Sequence, residues 1–152
     1  VEVSDNLKPF DSEERAALIG MAREHGLVVF GEVGSKYDEG SAEAMIGQAE
    51  ECLALGCEYV LIEGAELIDA QGQPIRSIID TLAKALDLSK VIFELPGPWI
   101  SGCTMDVVHD MKKFYVREFG ADVNIANVMP DDVIETEALR NGLGVLSAAT
   151  AG

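Results

Sequence analysis

Five short apolar runs recur along the 152 residues about every 30 positions: "VEVSD" (1–5), "LVVFGE" (27–32), "YVLIEG" (59–64), "VIFELP" (91–96) and "VNIANV" (123–128). They are rich in β-branched and apolar residues, as strands buried on both faces are. The stretches between them carry helical periodicity and helix punctuation. Asp11, three residues before Glu14, predicts a capped helix ending near Gly26, and Ser41 predicts a second that stops at Gly56. A third helix is predicted from about Ile75 to Leu86, with Ile75, Ile78, Ile79 and Leu82 on one face. Two more run from Thr104 to Phe119 and from Asp131 to Asn141, ending at Gly120 and Gly142. Strand, loop, helix and strand at this spacing describe a single α/β domain of parallel βα repeats. A five-stranded flavodoxin-like sheet fits the length, whereas a (β/α)8 barrel takes ~250 residues and eight strands. Periodicity alone does not separate the two.

The acids in the repeat say more. Asp5, Glu32, Glu63 and Glu94 each close an apolar run, and Asn124 and Asn127 fall in the corresponding region of the fifth. In parallel α/β folds the carboxyl ends of all strands open on one side, where ligands bind. One glutamate at a strand end is usually a solvated loop residue. Four in register would repel one another unless a cation sat among them, and Mg2+ suits hard carboxylate oxygens. His25 and His109 lie at a helix end and within a helix, so no histidine cluster competes.

Composition narrows the partners. A net charge of −16 argues against a nucleic-acid surface, which would need a basic patch. No apolar run approaches the ~20 residues that span a bilayer, so no membrane partner is expected. The opening residues show no basic-then-apolar leader, and a cytoplasmic location is expected. Cys52, Cys57 and Cys103 lack paired metal spacing; Cys52 and Cys57 are expected to pack as small apolar residues. A small anionic substrate would then be drawn in by local cations or a metal. Lys36 closely follows the strand end at Glu32, whereas Lys84, Lys90, Lys112, Lys113 and Arg117 belong to helices or their ends.

Taken in order, "VEVSD" followed by "EERAALI", then "GEVGSK", "YVLIEGAE", "KVIFELP", "FGADVNIANV" and "ALRNGLG" resemble the phosphosulfolactate synthase family along nearly the whole chain. The resemblance implies a (β/α)8 TIM-barrel fold, with this chain supplying about five βα units, the fourth to the eighth. The chain is then expected to be the C-terminal part of a longer polypeptide, because an open half-barrel would expose two long hydrophobic edges. The resemblance further implies a lyase that adds sulfite to the methylene carbon of phosphoenolpyruvate with Mg2+, in coenzyme M biosynthesis. Carried over to this sequence, Lys36 is the proton donor and Glu32 shares its motif as a catalytic residue. Glu63 and Glu94 are candidate metal ligands, and Asp5, Asn124, Asn127 and Arg140 candidate substrate-binding residues. Assembly as a homo-oligomer is also expected.

Three departures stand beside the resemblance. Family members tend to carry an arginine after "IEG", where this chain has Ala65 and the shorter loop "AELIDAQGQPI". The family's "LRRGLRGD" becomes "LRNGLGVL", which keeps Arg140 but replaces two arginines and a glycine with Asn141, Gly144 and Val145. The loop "PGPWISGCTMDVVHD" is longer and less polar, and it brings in Trp99 and Ile100. Phosphate recognition on barrels commonly uses backbone amides and bidentate arginines. Losing about three arginines, at ~1.5–3 kcal/mol per charge-assisted bond, weakens a highly anionic substrate. The expected alternatives are therefore a relative acting on a less phosphorylated carboxylate and a catalytically silent ligand-binding relative.

Overall fold

The computed structural model describes residues 1–4, 9, 11–34, 41–97, 100 and 103–143. Asp5, Lys36, Trp99, Gly144 and Val145 lie outside the described residues. The repeat resolves into five strands, β1 (Glu2–Val3), β2 (Phe30–Val33), β3 (Tyr59–Ile62), β4 (Val91–Glu94) and β5 (Asn124–Ala126). A helix follows each: α1 (Ser12–Glu24), α2 (Ala42–Ala54), α3 (Arg76–Ala85), α4 (Met105–Phe119) and α5 (Val133–Arg140). The caps read from the sequence form as expected. Asp11 and Ser41 accept from the amides three residues on, in Glu14 and Ala44, and Thr104, expected only as a helix start, caps its helix in the same way through Val107. The last helix departs from its predicted start: Pro130–Asp132 is a 3-10 turn, and the α-helix begins at Val133.

All four strand pairings are parallel, and the order in the sheet is β1-β2-β3-β4-β5. That order separates the two architectures. A doubly wound sheet reverses its strand order at a switch point and carries helices on both faces. Sequential parallel strands joined by right-handed crossovers put every helix on the same face, as in a (β/α) barrel. The packing agrees. Gly31 of β2 faces Cys52 of α2, and Phe93 of β4 stacks on Tyr115 and Phe119 of α4 with centroids 5.1 and 4.9 Å apart. Val33, Val60, Ile62, Val91 and Leu95 alternate onto this face and are buried with Ile19, Met45, Ile79 and Leu82 of the helices.

Polar ties join neighbouring units. Arg15 of α1 meets Glu51 of α2 at 2.7 Å, and the fully buried Lys112 of α4 reaches Glu135 and Asp132 at 3.0 and 3.3 Å. The other face of the sheet carries Phe30, Tyr59, Leu61, Ile92, Asn124 and Ala126, the positions that point into the lumen of a barrel. Phe30 and Tyr59 meet edge to face there, both half-buried.

Candidate active site

Strand register decides where the acids go. Glu32 pairs with Leu61, and Glu63 lies two residues beyond Leu61, so the two-residue alternation puts both side chains on the lumen face. Ile62 pairs with Phe93, so the next residues, Glu63 and Glu94, stand level on that face. Three strands thus deliver three carboxylates to one point, each offering an oxygen within 4.8 Å of the others. Their exposures are only 9, 7 and 9% for Glu32, Glu63 and Glu94.

Two glycines make this convergence possible. At Gly34, with φ of +120°, a β-carbon would lie 2.9 Å from the Glu63 β-carbon, so the end of β2 passes directly over Glu63. A β-carbon on Gly64 would lie 2.7 Å from the Glu94 carbonyl oxygen and 2.8 Å from the Pro96 nitrogen. The glycines in "GEVG" and "IEG" are thus what allow the strand ends to close on one another. Glu63 also caps the 3-10 turn Gly64–Leu67, accepting from the Ala65 amide at 3.2 Å. Behind Glu94, the buried Tyr115 hydroxyl donates to the Glu94 main-chain carbonyl at 3.2 Å. Burial, and then the Glu94 charge, hold that phenol well above its usual range.

The electrostatics follow from the crowding. Burial pushes the Glu32 carboxyl from 4.5 up to about 7, and the Glu2 charge, a hydrogen bond with Glu63 and the Glu63 charge push the same way. A hydrogen bond with Ser4 opposes them. Three buried acids with hard oxygen donors fit a divalent cation such as Mg2+. They fit full ionisation without a cation poorly, as the raised Glu32 makes plain.

The remaining expected residues divide. Asn127 lies just past β5 in a left-handed conformation, φ 61°, and its amide donates to the Leu95 carbonyl at 3.4 Å, beside the Glu94 strand end. Asn124 pairs with Ile92, two residues below Glu94, and turns its amide to the Val91 carbonyl at 3.1 Å. Arg140 lies at the opposite end of the sheet: its guanidinium donates to the Ala121 carbonyl and pairs with Glu137 at 3.3 Å. With Asp122, Asn124 and Asn141 it lines a hollow of about 460 Å³ near the amino end of β5, away from the glutamates. His109 pairs with Glu135 at 3.0 Å, on the helix side.

Ser4 is the site residue that sequence reasoning missed. Glu2 pairs with Phe30, so two residues on Ser4 stands level with Glu32, which it hydrogen-bonds. The signal was available, since alternation within "VEVSD" carries Glu2 and Ser4 to one face.

A family model described as (2R)-phospho-3-sulfolactate synthase (ComA) matches residues 1–145. Curated relatives named phosphosulfolactate synthase match 94% of the chain: 34% identical in Methanocaldococcus jannaschii, 28% in Bacillus subtilis and 25% in Methanothermobacter thermautotrophicus. The chain spans only 57, 56 and 55% of those relatives' own lengths, respectively. The five consecutive parallel units agree with the TIM-barrel fold of that family. A match over nearly every residue, running through all five strands and the glutamates at their ends, places this chain in the (2R)-phospho-3-sulfolactate synthase family.

Proposed function

We propose that the protein is a Mg2+-dependent lyase that joins sulfite to phosphoenolpyruvate, with this chain forming the C-terminal five units of its barrel. The observation that carries this reading is the convergence of Glu32, Glu63 and Glu94 within 4.8 Å in a chain of this family. Sulfite sulfur bonds to the methylene carbon, and the π electrons of the double bond move onto the neighbouring carbon and into the substrate carboxylate. The product then needs one proton on that carbon. Lys36, following the strand that carries Glu32, is assigned as its donor on the family resemblance. Glu63 and Glu94 hold the metal, with Glu32 beside them. A bound Mg2+ would supply positive charge to the carboxylate as it gains electron density. Burial keeps water from competing for these groups.

The test is sulfite consumption by the full-length protein with phosphoenolpyruvate, with and without Mg2+. Lys36→Ala is expected to lower kcat by about 10²-fold or more, the usual scale for a lost general acid, with an unchanged unfolding midpoint. A fully active Lys36→Ala protein removes the assignment.

One observation favours a second acceptor, a less phosphorylated small carboxylate. The hollow of about 210 Å³ between the loops after β3 and β4 is lined by Ala65, Ile68, Asp69, Ala70, Gly72, Ile100 and Cys103. None of these described lining residues is cationic. Asp69 spends its carboxylate on the Gln71 and Gln73 amides at 2.9 and 2.8 Å. Such a lobe suits an uncharged group better than a phosphate. Comparing acceptors that differ only in the phosphate decides between the two substrates. Loss of turnover with both would leave the silent, ligand-binding relative.

A further inference from the structure

Two of the three cysteines are brought together by a helix terminus. At the end of α2, Gly56 takes φ of +97° and its amide donates to the Leu53 carbonyl at 3.0 Å. The Cys57 amide donates to the Cys52 carbonyl, also at 3.0 Å. This paired pattern sets the third residue from the helix end against the second residue beyond it, and an apolar contact usually fills the position. Here both residues are cysteines. Strand β2 supplies the floor beneath them. A β-carbon on Gly31 would lie 2.7 Å from Cys52 Sγ and 3.3 Å from Cys57 Sγ, so the two sulfurs hang over one glycine, at most 6.0 Å apart. The backbone bond also ties their main chains together, as the short Cα separation of a disulfide requires.

We propose that Cys52 and Cys57 form a reversible redox site, a dithiol that peroxide converts to an intramolecular disulfide in the folded protein. The Cys57 thiolate attacks one peroxide oxygen and breaks the O–O bond, giving a sulfenic acid and a hydroxide that leaves as water. Cys52 then loses its proton, its sulfur bonds to that of Cys57, and the sulfenic hydroxyl departs as a second water. Two electrons pass from the sulfur pair to the peroxide, and an external dithiol returns them.

The surroundings assign the two roles. The Cys52 thiol's hydrogen bond, followed by the Arg23 and Arg15 charges, holds Cys57 below the usual thiol value against the opposing effect of burial. The same contact and its own burial push Cys52 up. Cys57, 7% exposed, lies between the exposed Gly56 and Glu58 and is the nearer of the two to the surface, while Cys52 is 1% exposed. Cys103 is an internal control. It is more exposed than either, yet burial of its sulfur raises its thiol, and its contacts are carbonyls, those of Pro96 and Thr104 at 3.7 and 3.8 Å.

The test treats the native full-length protein with a small excess of hydrogen peroxide, then blocks free thiols with iodoacetamide and maps the peptides by mass spectrometry. The expected result is a peptide spanning both cysteines that is about 2 Da lighter, with Cys103 alkylated and the circular dichroism spectrum unchanged. Dithiothreitol should restore two alkylatable thiols. With Cys52→Ser, dimedone should trap a sulfenic acid on Cys57; with Cys57→Ser, Cys52 should resist oxidation. Oxidation of Cys103 first, conversion of Cys57 to sulfinic acid without the disulfide, or a disulfide that forms only in denaturant would each overturn the proposal.

Discussion

A buried carboxylate among other carboxylates lowers its energy by keeping a proton, and Glu32 does so up to about pH 7. An unfolded glutamate releases that proton near 4.5, so between 4.5 and 7 the folded protein binds more protons than the unfolded one. Stability therefore falls as pH rises through this window. At about 1.4 kcal/mol per unit the loss is on the order of 3 kcal/mol. Glu51, held low by hydrogen bonds from Ser12 and Arg15, and Glu118, held low by those from Arg76 and Arg117, act in the other direction. Their contribution is lost only as pH falls below about 4.5, so it leaves the window clear. Denaturant titrations of metal-free protein at pH 5 and pH 7.5 should show lower stability at pH 7.5, and Glu32→Gln should flatten the difference. Added Mg2+ should restore stability at pH 7.5, because the cation replaces the proton as counter-charge. A wild-type profile without this fall would mean that the three glutamates do not crowd one another as the geometry requires.

At the scale of elements, much was legible in the sequence, and what was not has a physical reason. Caps are local chemistry, so Asp11 and Ser41 marked their helices. The glutamates that close "LVVFGE", "YVLIEG" and "VIFELP" were legible because each run ends at the same side of the sheet. The face of Ser4 was legible in the alternation of "VEVSD", but its partner Glu32 was not, because that depends on the pairing of β1 with β2, a long-range fact. Arg140 tests a rule that needs no register: a helix following a strand runs back antiparallel to it, so its last turn lies near the strand's amino end. The glycines show how tightly the elements close. Gly64→Ala would drive a methyl into the Glu94 carbonyl and the Pro96 nitrogen, which are backbone and cannot swing aside. The expected cost is about 1–3 kcal/mol, together with loss of Mg2+ stabilisation as Glu63 and Glu94 part. Gly20→Ala in α1 meets nothing within 4 Å and should gain about 0.5–1 kcal/mol with metal response intact. Equal effects from the two substitutions, measured by thermal unfolding with and without Mg2+, would refute the close packing at the site.

Across the whole molecule, the sheet is sided. Its helix face is closed by α1 to α5, while its lumen face carries half-buried Phe30, Tyr59 and Ile92 beneath a rim of glutamates. In a complete barrel such residues fill layers of the interior. The flanks show the same asymmetry. Leu18 and Met21 of α1 are 44 and 58% exposed, and Ile134 of α5 is 84% exposed, on the helices that border the first and last strands. Exposed apolar side chains at both flanks, with edge strands of two and three residues, suit further βα units packed on either side. If the full-length protein closes such a barrel, β1 and β5 are interior strands of a ring. The amides of Glu2–Val3 and Asn124–Ala126 that point away from β2 and β4 then have strand partners. Hydrogen exchange on the full-length protein should find them as slow as the amides of Tyr59–Ile62 at the middle of this sheet. Amides exchanging at the rate of a free edge, with Tyr59–Ile62 still protected, would show a sheet that stays open in the intact protein. The lumen residues Phe30, Tyr59 and Ile92 would then stay uncovered on one side, and the water exclusion that the proposed chemistry needs would rest on the burial this sheet alone gives the glutamates.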